Sequence, residues 1–298
     1  MRNLLLIQLA FEGERDFVSD LQELRNILKT KSINIGMSES IEKNTHFIKI
    51  FCNDIEEEKN IENIESIKNK VFTYVANLIY KEVISEYRKR ELLEYITENY
   101  FFLRHDEIIE IDSQINRILQ GKEKINDGVG ISLQNKINYL NDVIKEFLLE
   151  EGKINIDGFI RFRLKSMKSH IEFIVDKIVE LYMVEKEYNE FIKLLKYFVE
   201  IQESKIDLIN IIIKSNGEYI VEDKNGKNLF DEFIKDLIEN KESKDANAED
   251  IIISGLITNA PKHISIINKE YCLNKEFLNT ISEVFGDRVL FKNSTKIL

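Results

Sequence analysis

Between Asn155 and Lys205 the chain reads NIDGFIRFRLKSMKSHIEFIVDKIVELYMVEKEYNEFIKLLKYFVEIQESK, its longest strongly periodic stretch. Ile160, Leu164, Met167, Ile171, Ile174, Ile178 and Leu181 follow one another in steps of four and three. That spacing places them on one stripe of an α-helix. Phe162, Phe173, Val175, Val179 and Tyr182 widen the stripe, so the helix is expected to touch core on more than one side. Asp157 is the expected N-cap, because its carboxylate can accept a free N–H of the first turn. A second stripe follows at Tyr188, Phe191, Leu195 and Phe198, thickened by Ile192, Leu194 and Val199. The two lose phase around Val184–Glu187, where there is no glycine or proline, so a tight break and a bend both remain open. The preferred arrangement is a hairpin of two helices, since each stripe needs a partner and each can serve the other.

The flanks differ from this stretch and from each other. Leu4–Phe11 predicts a buried strand, Phe17–Leu28 an amphipathic helix, Ile33–Ile41 a second strand and Phe47–Cys52 a third. This order suits a small mixed sheet with a helix on one face, as in half of a ferredoxin-like unit. From about Ile61 to Glu151 the pattern is helical: one long helix toward Arg90, shorter pieces at Leu92–Leu103 and Glu107–Leu119, a glycine-containing loop at Gly121–Gly130, and a helix closed by Gly152. After Lys205 the texture turns to strands. Asn216-Gly217 between two β-rich runs is a hairpin signal, because both turn positions tolerate positive φ. A second Asn-Gly follows at 225–226. Helices are expected at Phe230–Ile238, Asp250–Asn259 (stopped by Pro261) and Phe277–Phe285, and strands at His263–Ile267 and Arg288–Phe291. Lys241–Ala248 reads as an exposed connection.

The expected fold class is therefore α+β and predominantly helical. Residues 1–60 form a small β-α-β-β unit, 61–205 a central helical layer with a long helix hairpin, and 206–298 a C-terminal α/β unit containing a β-hairpin, as separate units or as one continuous domain. A chain of 298 residues with 43% hydrophobic residues can bury a real core. Its net charge of −11 opposes non-specific nucleic-acid binding by the whole surface, though not by a local patch. Cys52 and Cys272 have no disulfide or metal spacing, which suits a reducing cytosol. The N-terminal apolar run is short and leads to acidic residues rather than a cleavage site, and no stretch has the roughly 18 to 20 apolar residues a membrane span needs. A cytoplasmic location follows as an expectation.

Three blocks, IDGFIRFRLK (156–165), VEKEYNEFIKLLKYFVEIQESK (184–205) and EDIIISGLITNAPKHI (249–264), together resemble the YtxC family. The likeness is strongest over Asn155–Ile267. It implies a sporulation context in endospore-forming bacteria and carries no assigned catalytic residue, cofactor or metal. Ser204 departs from the pattern, which has a proline there.

Candidate chemistry is sparse. Arg161, Arg163, Lys165 and Lys168 form a basic cluster near a helix N-terminus. It reads either as a phosphate or acidic-partner site or as the ion-paired face of an amphipathic helix. Arg161, Lys165 and Lys168 share a face; Arg163 does not. Phe159 and Phe162, at helical spacing, read more simply as core than as a stacking platform for single-stranded nucleic acid. His46, His105, His170 and His263 show no metal-ligand spacing. No dinucleotide fingerprint, P-loop or nucleophile elbow is present. The acidic run Glu56–Glu58 reads as solvated surface. Thr258-Asn259-Ala260-Pro261 lies between a helix and a strand, where ligand binding and helix-stop chemistry compete. Two functions follow. One is a non-catalytic protein that binds another protein. The other binds or processes a phosphorylated ligand or nucleic acid through Arg161 and Arg163.

Overall fold

The computed structural model describes residues 4–13, 15–31, 33–52, 61–123, 128–239 and 247–292. The run Glu56–Glu58, most of Lys241–Ala248 and part of the loop after Gly121 lie outside them. The architecture is predominantly helical α+β, with two separate four-stranded sheets among the described residues. Contacts divide the chain into two compact units, Met1–Tyr182 and Met183–Leu298.

The first unit opens with β1 (Leu4–Glu12), α1 (Phe17–Thr30), β2 (Ile35–Glu42) and β3 (Thr45–Cys52). Period-2 alternation aims Ile7, Leu9 and Phe11 at one face of the sheet, beside Ile48 and Ile50 of the antiparallel β3. Helix α1 buries Phe17, Leu21, Leu24 and Leu28, and Phe17 meets the Phe11 ring at 5.0 Å. The order and directions of these strands are those of half a ferredoxin-like unit. A short strand that the periodicity does not reveal, β4 (Lys153–Asn155), completes the sheet as β2-β3-β1-β4 and runs parallel to β1.

Helix α2 (Ile61–Tyr87) buries Val71, Val75, Leu78 and Ile79, as the four–three spacing predicts. It passes through a single π turn at Arg88–Leu92 into α3 (Leu93–Asn99), so these pieces are one chain of helix with an inserted residue. Helices α4 (His105–Leu119) and α5 (Gly128–Glu151) follow. The expected loop to Gly130 ends sooner, because Gly128–Gly130 already belong to α5. Gly152, at φ 63°, closes α5 as expected.

The hairpin expected between Asn155 and Lys205 is not formed. One uninterrupted helix, α6, runs from Ile156 to Ile201, 46 residues, and belongs in part to each unit. Val184-Glu185-Lys186-Glu187 contains no breaker, so nothing offsets continued backbone hydrogen bonding. The phase loss has another cause. At 3.6 residues per turn Ile178 and Phe191 stand about 140° apart around the axis, so the apolar stripe has moved to another side of the helix. The first stripe is buried from Ile160 to Ile178, with Val175 and Val179. Phe162 is 78% exposed, against the expectation that it widens the core.

In the second unit, β5 (Leu208–Ile213), β6 (Tyr219–Asp223), α7 (Phe230–Glu239), α8 (Ala248–Asn259), β7 (His263–Ile267), α9 (Lys275–Phe285) and β8 (Val289–Lys292) build the sheet β6-β5-β7-β8. β5 and β6 form the antiparallel hairpin around Gly217, at φ 84°. β5–β7 and β7–β8 are parallel. Ile209, Ile211 and Ile213 pack with Ile264, Ile266, Phe233, Leu256 and Ile281 in one core, which also takes Ile192, Leu195 and Val199 of α6.

Asp207 ties two pieces of this unit together. Its carboxylate pairs with Lys262 at 2.9 Å and Lys224 at 3.0 Å, and these bonds hold it down at about pH 2. A depressed carboxyl contributes stability above its unfolded value that is lost as pH falls through the folded one. Asp207→Asn should therefore flatten the acid side of the stability curve between about pH 4 and pH 2. Urea midpoints measured across that range at low salt test this, and parallel curves for the two proteins would contradict it.

Candidate functional site

At the start of α6 the sequence folds around two side chains. Asn155 Oδ1 accepts the Gly158 N–H at 2.8 Å, so Asn155 and not Asp157 caps the helix. Asp157 instead reaches back to β1: it accepts the Glu12 N–H at 2.8 Å and pairs with Arg15 at 2.5 Å. Tyr95 and Tyr100 both donate to Asp176 Oδ1, at 2.8 and 2.7 Å. Burial first, and that bond second, raise both phenols. Tyr182 donates to Glu110 at 3.1 Å and is pushed up to about 12, first by burial.

The four basic residues of α6 have different surroundings. Lys168 pairs with Glu91 of the π turn at 2.7 Å and with Glu172 at 3.6 Å, and the Glu91 bond raises its pKa. Arg161 and Lys165 are exposed. Arg163 lies 5.6 Å over the Phe147 ring and lines a cavity.

The second half of α6 presents a different surface. Ile192, Leu195 and Val199 face the second core. Val184, Phe191, Leu194, Phe198 and Ile201 do not: they are 62, 54, 57, 47 and 60% exposed. Their spacing of seven, three, four and three is that of successive a and d positions of a heptad. Glu187 stands at the one d position without an apolar residue, and Tyr188 flanks the seam with its hydroxyl 3.2 Å from Thr280. Sequence reasoning put Phe191 and Phe198 in a hairpin interface; the register that marks an unpartnered seam was present in the same residues.

The remaining candidates sit in ordinary roles. His46 stacks on Phe11 at 4.9 Å and bonds Glu39 at 2.9 Å. His170 tilts against Tyr139 at 4.8 Å, and His105 and His263 begin α4 and β7. Cys52 is buried, and Cys272 bonds the Asn274 carbonyl at 3.1 Å. At 258–261, helix-stop geometry prevails: Ala260 is left-handed at φ 41°, and Arg288 donates to the Pro261 carbonyl at 3.2 Å. Ser204 donates to the Ile206 carbonyl at 3.0 Å, just past the end of α6. Among the described residues no group of three His, Cys, Asp or Glu is placed to hold a metal ion. No described helix is long and apolar enough to cross a membrane.

Fold and surface together define a helical α+β protein whose longest helix carries an uncovered heptad seam. The profile of the YtxC-like family matches residues 73–290, and the chain belongs to that family. It is 25% identical over 203 residues to the uncharacterized protein YtxC of Bacillus subtilis (strain 168), covering 66% of this chain and 69% of the relative. No solved structure matches it.

Proposed function

We propose that this is a non-catalytic cytoplasmic protein of sporulation that works by binding an amphipathic helix of a protein partner along the α6 seam. The observation that carries the reading is the run of exposed apolar a and d positions from Val184 to Ile201. Knobs at that spacing match the holes of a facing helix. An apolar surface of this kind on a chain of net charge −11 is a marker of an interaction site. The sporulation setting rests on the family resemblance of blocks 156–165, 184–205 and 249–264.

A photo-crosslinking residue placed at Leu194, in sporulating cells of the native host, tests the reading. Glu200, exposed on another side of the same helix, is the control position. The expected result is one protein crosslinked from position 194 and absent from position 200, with the crosslink mapping to an amphipathic helix. Equal crosslinking from both positions, or crosslinks to a second copy of this chain alone, would overturn it.

A further inference from the structure

The second face of the first sheet is not filled like the first. Gln8 and Ala10 of β1 point to it, beside Phe47 of β3 and Lys153 and Asn155 of β4, because the register pairs Gln8 with Lys153 and Ala10 with Phe47 and Asn155. Phe147 of α5 and Phe159, Phe162 and Arg163 of α6 rise beside this floor. Between them is a cavity of about 520 Å³. That is the size of sites that take a drug-sized organic molecule.

Its chemistry is two-sided. Four phenylalanine rings and Ala10 supply an apolar wall, with Phe147 and Phe159 in contact at 5.0 Å. Lys153 and Arg163 supply positive charge, and neither has a carboxylate partner among the described residues. This contrasts with the ion-paired Lys168 on the same helix and with Arg15, which is bound by Asp157. In a chain with 53 acidic and 42 basic residues, two unpaired cations at an apolar cavity leave an anion as the complementary group. Arg163, held over the Phe147 ring, offers its guanidinium edge for a bidentate contact.

We infer that this cavity binds a small amphipathic organic anion, its apolar body among Phe47, Phe147, Phe159 and Phe162 and its carboxylate or phosphate head on Lys153 and Arg163. The site is independent of the α6 seam, since all its lining residues precede Leu164. Arg161 and Lys165 have no part in it. The weak sequence signal explains why it escapes a reading of motifs: Lys153 sits in a three-residue strand and Phe162 reads as core.

The full chain titrated calorimetrically with decanoate, 1-decanol and acetate tests the assignment. Decanoate should bind the wild type saturably, and both 1-decanol and acetate at least about tenfold more weakly, the loss expected from deleting a charge-assisted contact or the apolar body. Arg163→Gln should weaken decanoate about tenfold and leave 1-decanol unchanged. Arg163 is exposed, so the substitution leaves the core intact, and the comparison of three ligands on the wild type stands without it. Phosphatidylglycerol vesicles separate a free ligand from a lipid surface. Recruitment to vesicles with no binding of free decanoate would overturn the inference, as would decanoate binding that is absent, matched by acetate, or indifferent to Arg163→Gln.

Discussion

Replacing Gly255 by alanine should destabilise the second unit by about 2 kcal/mol, the net of two opposed effects. Gly255 is buried in the middle of α8, and a Cβ built there would fall inside the contact distance of three atoms of the Phe233 ring. Alanine is the better helix former by about 1 kcal/mol. Overpacking a close-packed core costs about 1–3 kcal/mol and sometimes more. The second effect wins here because the blocking group is a ring, 2% exposed, in the core shared with Leu256, Ile211 and Ile281. A flexible side chain would swing away; this ring cannot without displacing α7. Urea unfolding reads the loss directly. Phe233→Leu in the same background should recover part of it, because the smaller side chain vacates the space the new methyl needs. A Gly255→Ala protein more stable than the wild type would show that α7 and α8 do not approach as described.

Glu187→Pro should cost about 3 kcal/mol or more and lower the helical circular dichroism signal. Glu187 is exposed and lies in the continuous part of α6, so its own side chain contributes little. The loss comes from the backbone. Proline removes the N–H that α6 donates four residues back and pushes its ring at that carbonyl. The result separates the two ways of folding Asn155–Lys205. In a hairpin broken at Val184–Glu187, proline would fall at the first position of the second helix, where it is well tolerated. In the single helix it falls in the interior. A substitution with little effect on stability and helicity would restore the hairpin.

These two tests fall where reading the sequence succeeded and where it failed. Elements with their own period were legible: α1 from Phe17, Leu21, Leu24 and Leu28, and the β5–β6 hairpin from Asn216-Gly217, whose glycine takes the positive φ the turn requires. What depended on residues distant in sequence was not. Strand β4 has three residues and exists because Gln8, Leu9 and Ala10 pair with it. The cap of α6 went to Asn155 because Asp157 has partners, the Glu12 N–H and Arg15, about 140 residues earlier in the chain. The hairpin expectation failed on an assumption, that a drifting apolar stripe must be covered by its neighbour. The drift is instead what turns Ile192, Leu195 and Val199 toward the second core and leaves Phe191, Leu194 and Phe198 uncovered. The basic cluster was legible as residues but not as a site, since Glu91 claims Lys168 and the cavity takes Arg163 alone.

The most direct test of the seam as a binding surface is a triple variant, Phe191→Ser, Leu194→Ser, Phe198→Ser, compared with the wild type for partner retention and thermal stability. All three side chains are about half exposed or more, so their removal should leave the melting transition close to that of the wild type. Binding of the protein crosslinked at position 194 should fall by about a hundredfold, the scale of losing two or more buried apolar anchors. Undiminished binding by a triple variant of wild-type stability would contradict the account and move the interaction off α6.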